Sequence, residues 1–181
     1  QAEVLVANNN VDLLIKQAIE FQPNIVVIAN EEHYEKLKNA INHLPIKVFA
    51  GAKSIEQVVQ MDCVDIVLTA MVGFAGLLPT IKAIEANKTI ALSNKETLVV
   101  AGHIINKLLE NSKSQIIPVD SEHSAIFQCL IGENHKNVDK LILTASGGPF
   151  RGKDIDFLKK VKPKQALKHP NWNMGSKVTI D

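Results

Sequence analysis

Two acidic side chains separated by one residue are the clearest candidates for chemistry in this chain of 181 residues. Asp120 and Glu122 follow an apolar run at 116–119. Two carboxylates in one turn can point into a single cleft, and their oxygens suit hard divalent cations such as Mg²⁺ or Mn²⁺. Alternatively, Asp120 or Ser121 only caps the helix that follows, and the spacing alone favours this cap. His123 could be a further ligand, although packed or solvent-facing histidines are commoner.

A second polar segment, Ser93-Asn94-Lys95-Glu96, also follows an apolar run. Ser93 and Glu96 have the spacing of a capping box, which explains Glu96 without a ligand. Lys95 is harder to explain, because a cation in the first turn of a helix opposes the helix dipole at a cost of about 0.3–1 kcal/mol. An anionic ligand at the helix start would reverse the sign of that cost. A functional lysine and an accident of sequence stay equally open here.

Three further segments carry residue types suited to ligands. Small residues at 70–73 allow close approach of a flat ring or form a tight turn. The glycines at 147–148, after Ser146, form an anion-binding nest of backbone N–H groups or a plain turn. The only tryptophan, Trp172, fits a lid over a ligand or a plug between domains.

Short β-branched runs alternate with amphipathic segments, and this order predicts the elements that position these residues. The predicted strands are 4–6, 25–28, 46–49, 66–68, 89–92, 116–119 and 141–144, and the predicted helices are 11–21, 31–42, 54–60, 77–85, 95–109 and 124–131. Apolar strands separated by helices indicate a parallel sheet that is covered on both faces. Such sheets bind ligands beyond the carboxyl ends of their strands, where the polar segments lie.

Composition narrows the class of function. A net charge of +1 gives no field of the kind that nucleic-acid-binding proteins use, although residues 151–181 hold eight basic and three acidic side chains. No apolar run approaches the ~18 residues of a membrane span. Cys63 and Cys129 have no metal-ligand spacing, which favours a reduced, intracellular compartment.

A dinucleotide-binding motif of the form G-x-G-x-x-G is absent from the sequence, and the first strand leads into Asn8-Asn9-Asn10 instead. A dinucleotide site therefore needs a phosphate-binding loop before Gln1. Because the chain opens on Gln1 rather than Met, we interpret it as a piece of a longer protein, with a targeting segment upstream left open.

Five segments together resemble the 1-deoxy-D-xylulose 5-phosphate reductoisomerase family. They are MVGFAGLLPT at 71–80, ALSNKETLV at 91–99, PVDSEHSAIFQ at 118–128, LTASGGPFRG at 143–152 and HPNWNMGSKVTID at 169–181. Each is modest alone, but five in order across the chain are very specific.

The resemblance implies an α/β fold. Residues 1–117 would be the remainder of a Rossmann-like parallel sheet for NADPH, without its first β–α unit, and residues 118–181 the first part of an α+β catalytic domain.

The resemblance also implies a reaction. Family members are oxidoreductases and isomerases that convert 1-deoxy-D-xylulose 5-phosphate to 2-C-methyl-D-erythritol 4-phosphate in non-mevalonate isoprenoid biosynthesis. They use NADPH and a divalent cation (Mg²⁺, Mn²⁺ or Co²⁺) and are homodimers. We expect a cytoplasmic enzyme of a sugar phosphate, with no nucleic-acid or membrane partner. Because the family's Gly-rich loop and third metal carboxylate should lie outside residues 1–181, we expect this piece alone to be inactive.

Roles for individual residues follow from the resemblance. The implied catalytic residues are Lys95 and Glu122, and the implied metal ligands are Asp120 and Glu122. The implied substrate contacts are Lys95, Ser121, Glu122, Ser146, His169 and Trp172. The implied NADPH contacts are Asn8, Asn9, Asn10, Asn94, Glu96 and Gly175. The three asparagines at 8–10 depart from the Gly and Lys or Arg common in the family's turn, which leaves the details of NADPH preference open.

Two other classes of function stay open from the residues alone. One is another NAD(P)-dependent oxidoreductase of a phosphorylated substrate, which would need no divalent metal. The other is a non-catalytic phosphate-binding module in which Asp120 and Ser121 are only caps.

Overall fold

The computed structural model describes residues 1–144 and 147–168, and it divides the chain into two compact units. The first unit extends from Gln1 to Gln128, and the second begins at Cys129. Every strand among the described residues lies in the first unit, in two parallel sheets with helices between the strands. The predicted α/β class with parallel sheets is therefore confirmed.

The first sheet has three parallel strands in the order β1-β2-β3. They are β1 (Val4–Ala7), β2 (Ile25–Ile28) and β3 (Lys47–Ala50), connected by helices α1 (Val11–Phe21) and α2 (Tyr34–Ala40), with a 3-10 turn at Glu31–His33. All four residues of the central strand β2 are buried. Their uninterrupted apolar sequence is what a strand covered on both faces requires.

The second sheet is also parallel and has the order β4-β5-β6. Its strands are β4 (Ile66–Thr69), β5 (Thr89–Leu92) and β6 (Gln115–Pro118), connected by helices α4 (Leu77–Glu85) and α5 (Glu96–Glu110) and followed by α6 (Ser121–Leu130). Helix α3 (Ala52–Val58), which precedes β4, packs against β2 of the first sheet. Thr69, Leu92 and Pro118 lie side by side in the register of the three strands. Their carboxyl ends therefore meet at one edge, which continues into residues 70–76, 93–95 and 119–123.

An aliphatic core holds this edge in place. Ile84 of α4, Ile90 of β5 and Ile105 of α5 have no exposed surface and pack in one cluster. Full burial of each such side chain contributes roughly 1.5–3 kcal/mol, so the strand ends and helix starts at the edge rest on a rigid support.

Local chemistry explains one correction to the sequence analysis. The helix predicted at 95–109 is present, but the capping box of Ser93 and Glu96 is wrong. The Oδ1 atom of Asn94 accepts a hydrogen bond from the backbone N–H of Thr97 at 3.1 Å and caps α5 instead. The cap is displaced by one residue because Asn94 is buried and faces the helix start.

The second unit contains only short helical segments among its described residues. These are a 3-10 turn at His135–Asn137, α7 (Ile155–Leu158) and α8 (Pro163–Ala166). The strand predicted at 141–144 is wrong, because this segment has no regular secondary structure. Leu141, Ile142 and Leu143 are 62–72% exposed. An apolar run needs a neighbouring strand to complete its backbone hydrogen bonds, and none of the described residues supplies one.

The position of the domain boundary stays a prediction. The family resemblance implies a division after residue 117, which falls within β6, whereas β6 and most of α6 belong to the first compact unit. Within the described ranges, no helix combines the length and apolar character that a membrane crossing requires.

Candidate functional site

The carboxyl edge of the second sheet brings one lysine to two carboxylates. Lys95 directly precedes α5, whereas Asp120 and Glu122 stand at the start of α6. The Nζ atom of Lys95 lies 2.7 Å from Oδ2 of Asp120 and 3.7 Å from Oε2 of Glu122. These residues meet because β5 and β6 are paired parallel neighbours, so the segments that follow them lie side by side.

His123 contacts the same carboxylate from the other side. Its Nδ1 atom lies 2.8 Å from Oδ1 of Asp120, so each oxygen of Asp120 contacts a different side chain. The sequence analysis left His123 open as a further metal ligand or as a packed or solvent-facing histidine, and did not predict this contact with Asp120. The available signal was its spacing of three residues from Asp120, which places the two side chains on one side of a helix start.

Electrostatics keep this cluster charged. Burial raises the pKa of Asp120, whose side chain is 12% exposed, but hydrogen bonds from Lys95 and His123 outweigh burial and lower the pKa from 3.8 to about 2. The hydrogen bond to Asp120 raises the pKa of Lys95 above its usual 10.5, against the opposing effect of desolvation. At neutral pH the site therefore holds an ammonium group beside an ionised Asp120.

A small cavity of about 40 Å³ adjoins the cluster. It is lined by Leu92, Lys95, Leu98, Ile116, Pro118, Asp120 and His123. A space of this size accommodates water or a metal ion, because one water needs roughly 10–15 Å³ on this measure. A sugar phosphate does not fit inside it.

The donor set fits a hard divalent cation. Asp120 and Glu122 both direct an oxygen toward the ammonium of Lys95, so the pair already converges on one positive charge. Mg²⁺ commonly takes one or two protein carboxylates and completes its octahedron with water and substrate oxygens. Within 1–144 and 147–168, no group of three or more His, Cys, Asp or Glu residues has the arrangement of a metal site.

Asn94, next to Lys95, has a buried side chain that connects two segments of the edge. Its Nδ2 donates hydrogen bonds to the carbonyl of Met71 and, at 2.9 Å, to that of Gly73. Its Oδ1 accepts from the backbone N–H of Thr97 at 3.1 Å and from the Thr97 hydroxyl at 3.2 Å. The side chain therefore ties the residues after β4 to the start of α5.

The asparagines at 8–10 form a polar turn at the carboxyl edge of the first sheet. Asn10 caps α1 through its side-chain oxygen, which accepts a hydrogen bond from the N–H of Leu13 at 3.1 Å. Oδ1 of Asn9 accepts a hydrogen bond from Nδ2 of Asn30 at 3.1 Å. The carbonyl of Asn8 accepts one from the Asn30 N–H at 3.0 Å. Amide groups rather than charged side chains build this turn.

The remaining predicted site residues divide into two groups. Ser121 begins α6 directly after Asp120, and Glu96 begins α5 directly after Lys95, so both belong to the same edge. Ser146, His169, Trp172 and Gly175 lie outside the described residues.

Known proteins similar to this chain agree on one family. The family model described as 1-deoxy-D-xylulose 5-phosphate reductoisomerase matches residues 1–102, and that of its C-terminal domain matches residues 116–181. The 1-deoxy-D-xylulose 5-phosphate reductoisomerase of Bacteroides thetaiotaomicron is 61% identical over 181 residues, all of this chain. That of Chlorobaculum tepidum is 48% identical over 177 residues, or 98% of this chain. The chain spans 46% of each relative, about half its length.

Solved structures show the same similarity. A DOX-P reductoisomerase in complex with NADPH, fosmidomycin and magnesium has a TM-score of 0.85 at 35% identity, covering 98% of this chain and 46% of that one. The enzyme from Zymomonas mobilis in complex with NADPH has a TM-score of 0.84 at 39% identity, covering 92% and 44%. This chain, with its Lys95–Asp120–Glu122 cluster at a parallel sheet edge, belongs to the 1-deoxy-D-xylulose 5-phosphate reductoisomerase family.

Proposed function

We propose that the protein containing this chain is a reductoisomerase that converts 1-deoxy-D-xylulose 5-phosphate to 2-C-methyl-D-erythritol 4-phosphate, in non-mevalonate isoprenoid biosynthesis. The observation that carries the proposal is the convergence of Asp120 and Glu122 on the ammonium of Lys95. A simple hydride-transfer enzyme has no need of paired carboxylates beside a cation. The relatives named above carry the name of this enzyme. One of the similar solved structures is a complex with NADPH, fosmidomycin and magnesium, and another is a complex with NADPH.

Asp120 and Glu122 are the residues that would hold a divalent cation, Mg²⁺, Mn²⁺ or Co²⁺. When bound, such a cation supplies a Lewis acid for the carbonyl and hydroxyl oxygens of the substrate. Lys95 stays protonated, because its partner Asp120 raises its pKa, and its ammonium group stabilises negative charge that develops on a substrate oxygen. Ser121 offers a hydroxyl group to the substrate at the same helix start.

The other proposed contacts follow from family membership. Ser146, His169 and Trp172 would bind or cover the phosphate end of the substrate, whose binding energy fixes its geometry. The proposed NADPH contacts are Asn8, Asn9, Asn10, Glu96 and Gly175, and Asn94 would act on the same site through the segment after β4 that it holds. We further propose that the full-length protein is a cytoplasmic homodimer without a nucleic-acid or membrane partner.

Two variants of the full-length protein test this function. Oxidation of NADPH would be followed with 1-deoxy-D-xylulose 5-phosphate and Mg²⁺, with and without a chelator. Asp120→Asn keeps the shape and capping capacity of the side chain but removes its charge, so turnover should fall by about 100-fold or more. Asp156→Asn, at an exposed ion pair with Lys159, is the matched control and should retain full activity. Turnover that survives the chelator would instead favour a metal-independent oxidoreductase.

A further inference from the structure

We propose that Asn94 is a positioning residue, whose side chain fixes the 71–76 segment against the start of α5, and that Gly76 lacks a side chain in order to admit it. The inference depends on the proposed function only for the identity of the ligand that the fixed segment borders. The hold of Asn94 on residues 71–76 is a property of the protein without ligand.

The hydrogen-bonding capacity of the Asn94 side chain is used inside the protein. An amide group offers two N–H donors and one oxygen that accepts two hydrogen bonds. The donors go to the carbonyls of Met71 and Gly73, and the oxygen accepts from the N–H and the hydroxyl of Thr97. Asn94 is also only 3% exposed. Its amide therefore has no free donor or acceptor for a cofactor unless it breaks its hydrogen bonds to the segment after β4.

Gly76 supplies an independent observation. A Cβ atom at this position would lie 2.6 Å from Nδ2 of Asn94 and 3.3 Å from its Cγ. The backbone of Gly76 has φ −79° and ψ −12°, which any residue adopts, so its conformation does not demand glycine. Glycine is required at position 76 because a Cβ atom would occupy the space of the Asn94 side chain. At Gly73 the reason is conformational instead: its φ is +70°, which favours glycine, and nothing lies within 4 Å of its Cβ position.

The fixed segment borders the proposed site. Residues 70–76 follow β4 at the edge where Lys95 and Asp120 follow the two neighbouring strands. The carbonyls of Met71 and Gly73 accept hydrogen bonds from Asn94, whereas the residues Val72 and Phe74 are 77% and 64% exposed. Asn94 therefore acts on a ligand through the shape of this segment rather than through contact by its own amide.

Hydrogen exchange and NADPH binding in the full-length protein test the inference. Asn94→Ala and Gly76→Ala should each accelerate amide exchange of residues 71–76 by about tenfold or more in the protein without cofactor. Both should weaken NADPH binding to a similar degree. The double variant should be no worse than Asn94→Ala alone, because the added methyl group then has room. Gly102→Ala is the control, since nothing lies within 4 Å of its Cβ position, and it should change neither readout.

Asn94→Asp guards against a general loss of folding. It keeps the oxygen that caps α5 but places a carboxylate oxygen where Nδ2 donates, so it should also accelerate exchange at 71–76. Weakened NADPH binding with unchanged exchange would overturn the inference, because the amide would then contact the ligand directly. Effects of Asn94→Ala and Gly76→Ala that add in the double variant, or a neutral Gly76→Ala, would overturn it as well. If the protein binds no NADPH, the proposed function fails, but the exchange measurements still decide the inference.

Discussion

Replacing Lys95 by methionine should strengthen divalent-cation binding in the protein without substrate. The ammonium group of Lys95 lies 2.7 Å from Asp120 and 3.7 Å from Glu122, at the point where both carboxylates converge. A divalent cation that uses the same oxygens has to share them with this positive charge. Methionine keeps the length of the side chain and removes the charge, so the repulsion disappears while the carboxylates stay.

The size of the effect follows from Coulomb's law. Charges of +2 and +1 separated by about 5 Å repel each other by roughly 1.7 kcal/mol in a water-like dielectric. The high dielectric applies because the Lys95 side chain is 49% exposed. Loss of the hydrogen bond that orders Asp120 acts in the opposite direction by about 0.5–1 kcal/mol. The net gain of about 1 kcal/mol corresponds to a Kd for Mn²⁺ that falls about threefold to tenfold.

Titration of the full-length protein with Mn²⁺, followed by electron paramagnetic resonance of the free ion, measures this Kd without substrate or NADPH. The control is Lys36→Met, which breaks an exposed ion pair of similar length, 2.6 Å, between Lys36 and Asp12. The control should leave the Kd unchanged, and Lys95→Met should lose turnover although it binds Mn²⁺ more tightly. Unchanged or weaker Mn²⁺ binding in Lys95→Met would show that lysine and cation do not share the oxygens.

Two further predictions concern the same carboxylate. Because the pKa of Asp120 is lowered from 3.8 to about 2 on folding, its ionised form stabilises the folded state above about pH 4 by roughly 1–2 kcal/mol, and this contribution is lost as the pH falls through about 2. Urea unfolding of the metal-free protein and of Asp120→Asn should therefore differ at pH 6 and converge toward pH 2. His123→Ala should weaken Mn²⁺ binding about tenfold, because Oδ1 of Asp120 loses its partner. His123→Asn, which can place an N–H near the position of Nδ1, should restore most of the affinity, whereas equal loss in both variants would exclude a positioning role for His123.

Much of the fold could be predicted because its strands are short and apolar on both faces. The IVVI sequence of β2 is too uniform for an exposed strand, and its bounds at 25–28 are confirmed. The rule that parallel strands present their carboxyl ends at one edge then brings Lys95 near Asp120, although 25 residues separate them. The order of the parallel strands is therefore enough to predict that these two residues lie at one edge of the sheet.

Contacts that depend on distant backbone could not be predicted in this way. Ser93 and Glu96 have the spacing of a cap, but the choice of Asn94 depends on the carbonyls of Met71 and Gly73, more than 20 residues earlier in the chain. The residues next to Asn94 in the sequence do not indicate where those carbonyls lie, so the cap could not be predicted from them. The segment at 141–144 shows the same limit, since its apolar residues favour a strand but only a neighbouring strand can complete one.

The start of α5 shows why two adjacent residues need such different side chains. Asn94 turns inward and holds the residues after β4, whereas Lys95 reaches the residues after β6. A lysine at this helix start opposes the dipole by about 0.3–1 kcal/mol, and the ionised Asp120 at 2.7 Å offsets that cost. The sequence analysis considered an anionic ligand as the partner of Lys95. In the structure, the carboxylate of Asp120 is that anion. Because β5 is the central strand of its sheet, one helix start links the segments on both of its sides. Because the two residues contact opposite sides, a change at position 94 should affect the residues after β4, and a change at position 95 those after β6.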